Sequence, residues 1–155
     1  MARYLFGETN PASAPVQTAT AVAVNDILGY TGGYVYLASA ETWDTNLATT
    51  QTNFATKFLG LSGQKKLSTE SRVHGNSTDN IIRVDCSGVY EFDASSASYV
   101  IGDFVGPAKD SGNALLATTV AKVSGVALAI GRVIENTTGT KVKVQLLSTL
   151  NPVSK

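Results

Sequence analysis

The stretch IIRVDCSGVYEFD, residues 81–93, decides the fold. Ile82, Val84, Cys86, Tyr90 and Phe92 sit at one parity, opposite Arg83, Asp85, Ser87, Glu91 and Asp93. Successive side chains of a strand point to opposite faces, so this alternation describes a sheet with one buried face and one wet face. Val142, Val144 and Leu146 alternate in the same way with Lys141, Lys143 and Gln145. Between these runs the pattern predicts strands over 99–105 (broken by a turn at Gly102-Asp103), 120–123 and 128–135. Asn136-Thr-Thr-Gly139 predicts a hairpin connection. Upstream, residues 16–24 suit a flat, weakly specified strand. A turn at Gly29, Gly32 and Gly33 then precedes a short aromatic strand over 34–38. Short strands at such spacing predict a mainly β protein, a small barrel or sandwich.

One amphipathic helix is expected at about 44–59. Trp43, Leu47, Phe54 and Phe58 form a single stripe on a 3.6-residue wheel, with Thr45, Thr49, Thr52 and Thr56 opposite. Asp44 or Thr45 suits its start and Gly60 its left-handed end. Threonine is a mediocre helix former, so the helix needs the sheet to exist. Its phenylalanines are expected to pack on the face bearing Ile82, Val84, Tyr90 and Phe92.

Residues 1–15, with Pro11 and Pro15 and no clear periodicity, are expected to form an extended N-terminal arm. Residues 16–155 are expected to form a single β-rich domain. For the arm, a tail or a first strand folded back on its own barrel is the competing reading.

The chain has 155 residues, 43% hydrophobic but only 15% charged, with 12 basic against 12 acidic side chains. A charged fraction well under the roughly 25% of ordinary globular proteins, with no net charge, provides no field for nucleic acid or an anionic membrane. The first 56 residues carry only Arg3, Glu8, Asp26, Glu41 and Asp44 as charges. No stretch approaches the ~18 apolar residues of a membrane span, and the first 14 residues lack the apolar core of a secretory signal. The sequons at Asn76 and Asn136 are expected to be chance occurrences in a Thr-rich chain.

The inventory of reactive groups predicts no enzyme, no metal and no cofactor. Cys86 is the single cysteine and lies on the apolar parity, which predicts a buried, inert thiol. His74 is the single histidine, in a polar loop, which does not suit a zinc site. Asp79, Asp85, Asp93, Asp103 and Asp110 lack the spacing of a calcium loop, and the glycine-rich turns lack phosphate-loop spacing. Tyr30, Tyr34 and Tyr36, with Trp43 nearby, could form an aromatic platform for a sugar ring. Core or subunit-interface packing is the competing role.

Several segments, in order, resemble a family of tailed-bacteriophage capsid decoration proteins, also called cement or head-stabilisation proteins. They are FATKFLGL (54–61), SGVYEFD (87–93), IGDFVGPA (101–108), AIGRV (129–133) and KVKVQLLS (141–148), covering roughly the last two thirds of the chain. The resemblance implies a small β-barrel-like homo-oligomer, most often a trimer. It would be made in the host cytoplasm and bound to the outer surface of the virion capsid, bridging neighbouring major capsid subunits. On that reading Arg3, Tyr4, Leu5 and Phe6 form a capsid-binding arm, and Tyr30, Tyr34 and Tyr36 are interface aromatics. A carbohydrate- or host-surface-binding β module is the alternative.

Overall fold

A computed structural model of the protein describes residues 1–73, 75 and 80–150. His74, Asn76 and Asp79 lie outside the described residues. The protein is mainly β and is built as two small closed barrels with one helix.

The first barrel joins β2 (Pro11–Val16), β3 (Ile27–Thr31), β4 (Tyr34–Leu37), β5 (Phe58–Ser62) and β6 (Asn80–Asp85) in the order β2-β4-β3-β5-β6. The second joins β7 (Val89–Tyr99), β8 (Phe104–Lys109), β9 (Leu115–Val123), β10 (Gly131–Val133) and β11 (Thr137–Leu146). It runs β7-β11-β10-β8-β9 and closes through a parallel pairing of Asp93 with Thr119 and Ala94 with Val120. Closure removes the unpaired edges that make open sheets prone to association. One more strand, β1 (Arg3–Phe6), pairs antiparallel with the start of β7 and is the terminal strand of that sheet.

The alternating stretch at 81–93 is therefore two strands, with one parity serving two cores. Ile82 and Val84 fill the first barrel with Ala14, Val16, Leu28 and Val35. Tyr90 and Phe92 join a larger cluster with Ile27, Phe54, Phe58, Val120 and Val144, which draws residues from both barrels. The break falls at Cys86–Gly88. Thr9 O accepts hydrogen bonds there from the Cys86 and Ser87 amides at 2.8 and 3.0 Å, and Gly88 takes a φ of +116°. A side chain at that position would be strained by the backbone and would press on the Tyr90 ring at 3.3 Å.

The helix is shorter than expected. α1 spans Leu47–Ala55, with Asn46 as its cap, accepting from the Thr49 amide at 2.9 Å. Thr45 has a φ of +38°, outside helical space, so neither it nor Asp44 begins the helix. At the other end the Lys57 carbonyl accepts from the Tyr30 amide at 2.9 Å, which draws the chain into β5 beside β3. Phe58 thus lies on a strand, yet it and Phe54 are both fully buried with ring centroids 6.2 Å apart. They pack with Tyr90 and Phe92 in the shared cluster, whereas Ile82 and Val84 belong to the other. Gly60 ends no helix. It lies within β5, where a Cβ would come within 2.2 Å of the Asp85 carbonyl oxygen. Trp43 precedes the helix, half-buried, with the Lys109 ammonium 5.4 Å from its ring centre. Gln51 ties α1 to the second barrel by donating to the Pro107 carbonyl at 2.8 Å.

Three other expectations are corrected. The early strand covers Pro11–Val16 rather than 16–24, and within 17–24 only Val22 forms a bridge, to Lys66. Prolines are tolerated in β2 because one edge pairs with β6 along its whole length while the other meets β4 only at Val16 and Val35. The residues expected to be an extended arm are therefore β1 and β2, integral to the two sheets. Finally, 136–139 is not a hairpin turn. Thr137 already pairs with Tyr99, and Gly139 pairs with Ala97 at a register shift.

Candidate partner-binding surface

The N-terminal residues form a surface on the second barrel. In β1, Ala2 just before the strand is buried, Leu5 is half-buried, and Tyr4 and Phe6 are 45% and 56% exposed. Tyr4 stacks edge-on against Tyr90, and its hydroxyl donates to the Gly7 carbonyl at 2.7 Å. Arg3 pairs with Glu91 across the strands at 3.1 Å. Beyond the strand start, the terminal ammonium and Lys141 both meet the Asp93 carboxylate. Those two partners, Lys141 first, lower the Asp93 pKa to about 2. Arg3, Tyr4, Leu5 and Phe6 are thus held in place by their own chain, with one strand edge unpaired.

Tyr4 also lines a cleft of about 670 Å³ whose other walls include Glu8, Val24, Arg83 and Asp85. Arg83 donates to Asp85 at 2.8 Å, and the Tyr90 hydroxyl donates to the same carboxylate at 3.3 Å. Burial, reinforced by the Asp85 charge, raises the Tyr90 pKa, so this hydroxyl remains a donor. The surface offers aromatic side chains, backbone hydrogen-bonding groups and a fixed ion pair, which suits recognition of another protein.

The three tyrosines do not converge. In the β3–β4 hairpin Gly29 faces Tyr36, Tyr30 faces Val35 and Thr31 faces Tyr34. Tyr34 and Tyr36 therefore share one side and Tyr30 takes the other. Tyr30 and Tyr34 are exposed, but Tyr36 packs edge-on against Phe54 at 6.0 Å. Its hydroxyl donates to Glu41, which also accepts from Lys57 at 2.7 Å. Burial and the Glu41 carboxylate raise the Tyr36 pKa. Tyr36 is a structural residue, so a flat three-ring platform does not form.

Cys86 is fully buried, and burial together with the Asp85 charge pushes its thiol up to about 11. Among the described residues, no three His, Cys, Asp or Glu side chains gather as a metal-ligand set. Among them, too, no helix is long and apolar enough to cross a membrane.

Two features escaped the sequence reading. Lys66 is fully buried, with its ammonium donating to the carbonyls of Thr18, Thr20 and Leu67 at 2.6, 3.0 and 3.1 Å. The turn after β7 exposes Val100 and Ile101. Only the aliphatic pair beside Gly102-Asp103 could have signalled the second, and nothing in the polar run around Lys66 signals the first.

No protein-family model matches the chain, and no curated protein matches it.

Proposed function

We propose that this protein is a structural virion component that binds the outer surface of an assembled phage capsid and bridges neighbouring major capsid subunits. The observation that carries the reading is β1, a terminal strand held rigidly on its barrel with Tyr4 and Phe6 presented to solvent. Rigid aromatic side chains are efficient contact groups, because little conformational freedom is lost when they are covered. The ordered resemblance to decoration proteins supports the same reading and supplies its partner class. A ligand that binds the lattice and not free subunits stabilises the lattice by mass action. Repetition on a symmetric shell makes modest contacts strong collectively.

The test is rebinding to undecorated heads of the source phage, followed by co-sedimentation. Phe6→Asp is expected to fold normally and to lose occupancy at least tenfold. Wild-type occupancy by that variant would remove β1 from the contact, and failure of wild-type protein to sediment with heads would overturn the reading. Retention on a glycan matrix instead would favour the carbohydrate-binding alternative.

A further inference from the structure

Glu8 is set apart from the other carboxylates. Among the described residues, every other Asp and Glu side chain accepts a hydrogen bond or joins an ion pair within the chain. Among the same residues Glu8 has no such partner. It is exposed, follows β1 in the connection to β2, and lines the cleft of about 670 Å³ with Tyr4, Asn25, Arg83 and Asp85.

The cleft lies where the barrels meet. Tyr4 comes from the sheet of the second barrel, while Arg83 and Asp85 come from β6 of the first. A Cβ on Gly88 would lie 3.5 Å from Tyr4 Cε2 and 3.6 Å from the Glu8 carbonyl oxygen, so the ring and Glu8 are neighbours. The wall is fixed before anything binds. Asn25 is held in the left-handed region, at a φ of +65°, by two hydrogen bonds: its amide donates to the Ser62 carbonyl at 2.7 Å and its side chain to the Ala2 carbonyl at 2.9 Å. Arg83 is turned to Asp85 and to the Thr9 hydroxyl, which accepts at 3.3 Å. Such a wall loses little freedom when it is covered.

Acceptor capacity is what this wall leaves unspent around Glu8. The Tyr4 hydroxyl gives its hydrogen to the Gly7 carbonyl, so its oxygen can only accept. The Asn25 side-chain nitrogen is turned to Ala2, which leaves Oδ1 as an acceptor. Two carboxylates, Glu8 and Asp85, stand against one guanidinium, Arg83. An anionic ligand would therefore meet net negative charge, and a donor-only cation is the complement. A guanidinium fits better than an ammonium. It is planar, carries only N–H donors, pairs bidentately with a carboxylate and stacks on an aromatic ring.

We infer that this cleft takes an arginine side chain of the bound capsid subunit, its guanidinium pairing with Glu8 and lying against the Tyr4 ring. The inference rests on the reading of β1 as the capsid-binding strand and names the partner group selected beside it. Arginine is among the residues that most often anchor a protein contact. Recognition here is local, because a chain with zero formal net charge has no long-range field to gather a cation.

The test has two arms, both on the full chain. In the first, N-acetyl-arginine amide at millimolar concentration is titrated in and followed through backbone amide chemical shifts. Shifts should appear at Tyr4, Glu8 and Asn25 and saturate, and the citrulline counterpart, of the same shape without the charge, should give none. Glu8→Gln should remove the response while melting as wild type does. In the second, Glu8→Gln is rebound to undecorated heads, where occupancy at low salt should fall about tenfold. That deficit should shrink as salt rises, because screening weakens the wild-type pair as well. Equal responses to the arginine and citrulline compounds, a response that survives Glu8→Gln, or wild-type decoration of heads by Glu8→Gln would each overturn the inference. The last result leaves attachment through β1 standing. Wild-type protein that ignores heads yet binds the arginine compound in a Glu8-dependent way would instead overturn the attachment reading and support the guanidinium site.

Discussion

Tyr4 stands edge-on to Tyr90, ring centroids 5.5 Å apart and planes at 67°, so the N-terminal strand is locked onto the second barrel. The pair also bridges the two barrels, because the Tyr90 hydroxyl reaches Asp85 at the end of β6. Strand β1 is therefore part of the body of the molecule, and so is β2, which lines the first core through Ala14 and Val16.

Deleting residues 1–14 should consequently abolish cooperative unfolding. The deletion removes β1 and most of β2, and opens both sheets. Tyr4→Ala should cost only about 1 kcal/mol, the scale of one aromatic pair. Thermal melts of both variants check this; a truncated protein that melts as wild type would show that the N-terminal strands are dispensable.

Phe54→Ala and Phe58→Ala should each cost roughly 3–5 kcal/mol, since both rings are fully buried in the cluster that the barrels share. Urea denaturation should show a lower midpoint with little change in slope. A midpoint unchanged for either variant would mean that the shared core closes around the gap.

Lys66→Met should destabilise by about 3 kcal/mol. It removes the three hydrogen bonds that the ammonium gives the Thr18, Thr20 and Leu67 carbonyls, each worth about 1 kcal/mol net. Amide exchange should rise in the segments 17–20 and 64–67 before it rises elsewhere. Uniform protection across the chain in that variant would contradict the role.

The Asp93 carboxyl is lowered from 3.8 to about 2 in the folded protein. A depressed folded-state value contributes stability above the unfolded-state pKa and loses it as pH falls through the folded one. The loss attributable to Asp93 should therefore fall between about pH 4 and pH 2. Because the side chain is 40% exposed, the effect is modest and screened by salt. Asp93→Asn should flatten the stability profile in that window, measured by denaturant titration at successive pH values.

Cys86, with its thiol raised to about 11, should be inert to a thiol reagent at neutral pH in the native protein and react on unfolding. Rapid native-state labelling would place the thiol on an accessible surface.

What the sequence determined by itself was local. Alternation at 81–93 and 141–147 identified strands and their buried sides, since side-chain parity is a property of the backbone alone. The buried role of Cys86 followed from the same alternation, and those of Phe54 and Phe58 from the helical stripe they share with Trp43 and Leu47. Tertiary structure decided everything that depends on which partner a strand meets. One parity could not reveal that Ile82 and Tyr90 serve different cores, because the break at Gly88 preserves alternation while redirecting the chain. Pro11 and Pro15 looked like markers of a loose arm, yet a strand with one open edge has room for both. The three tyrosines, close in sequence, were separated by hairpin register, and Lys66 was buried by carbonyls from segments more than forty residues away. Long-range pairing sets those outcomes, and no local periodicity encodes it.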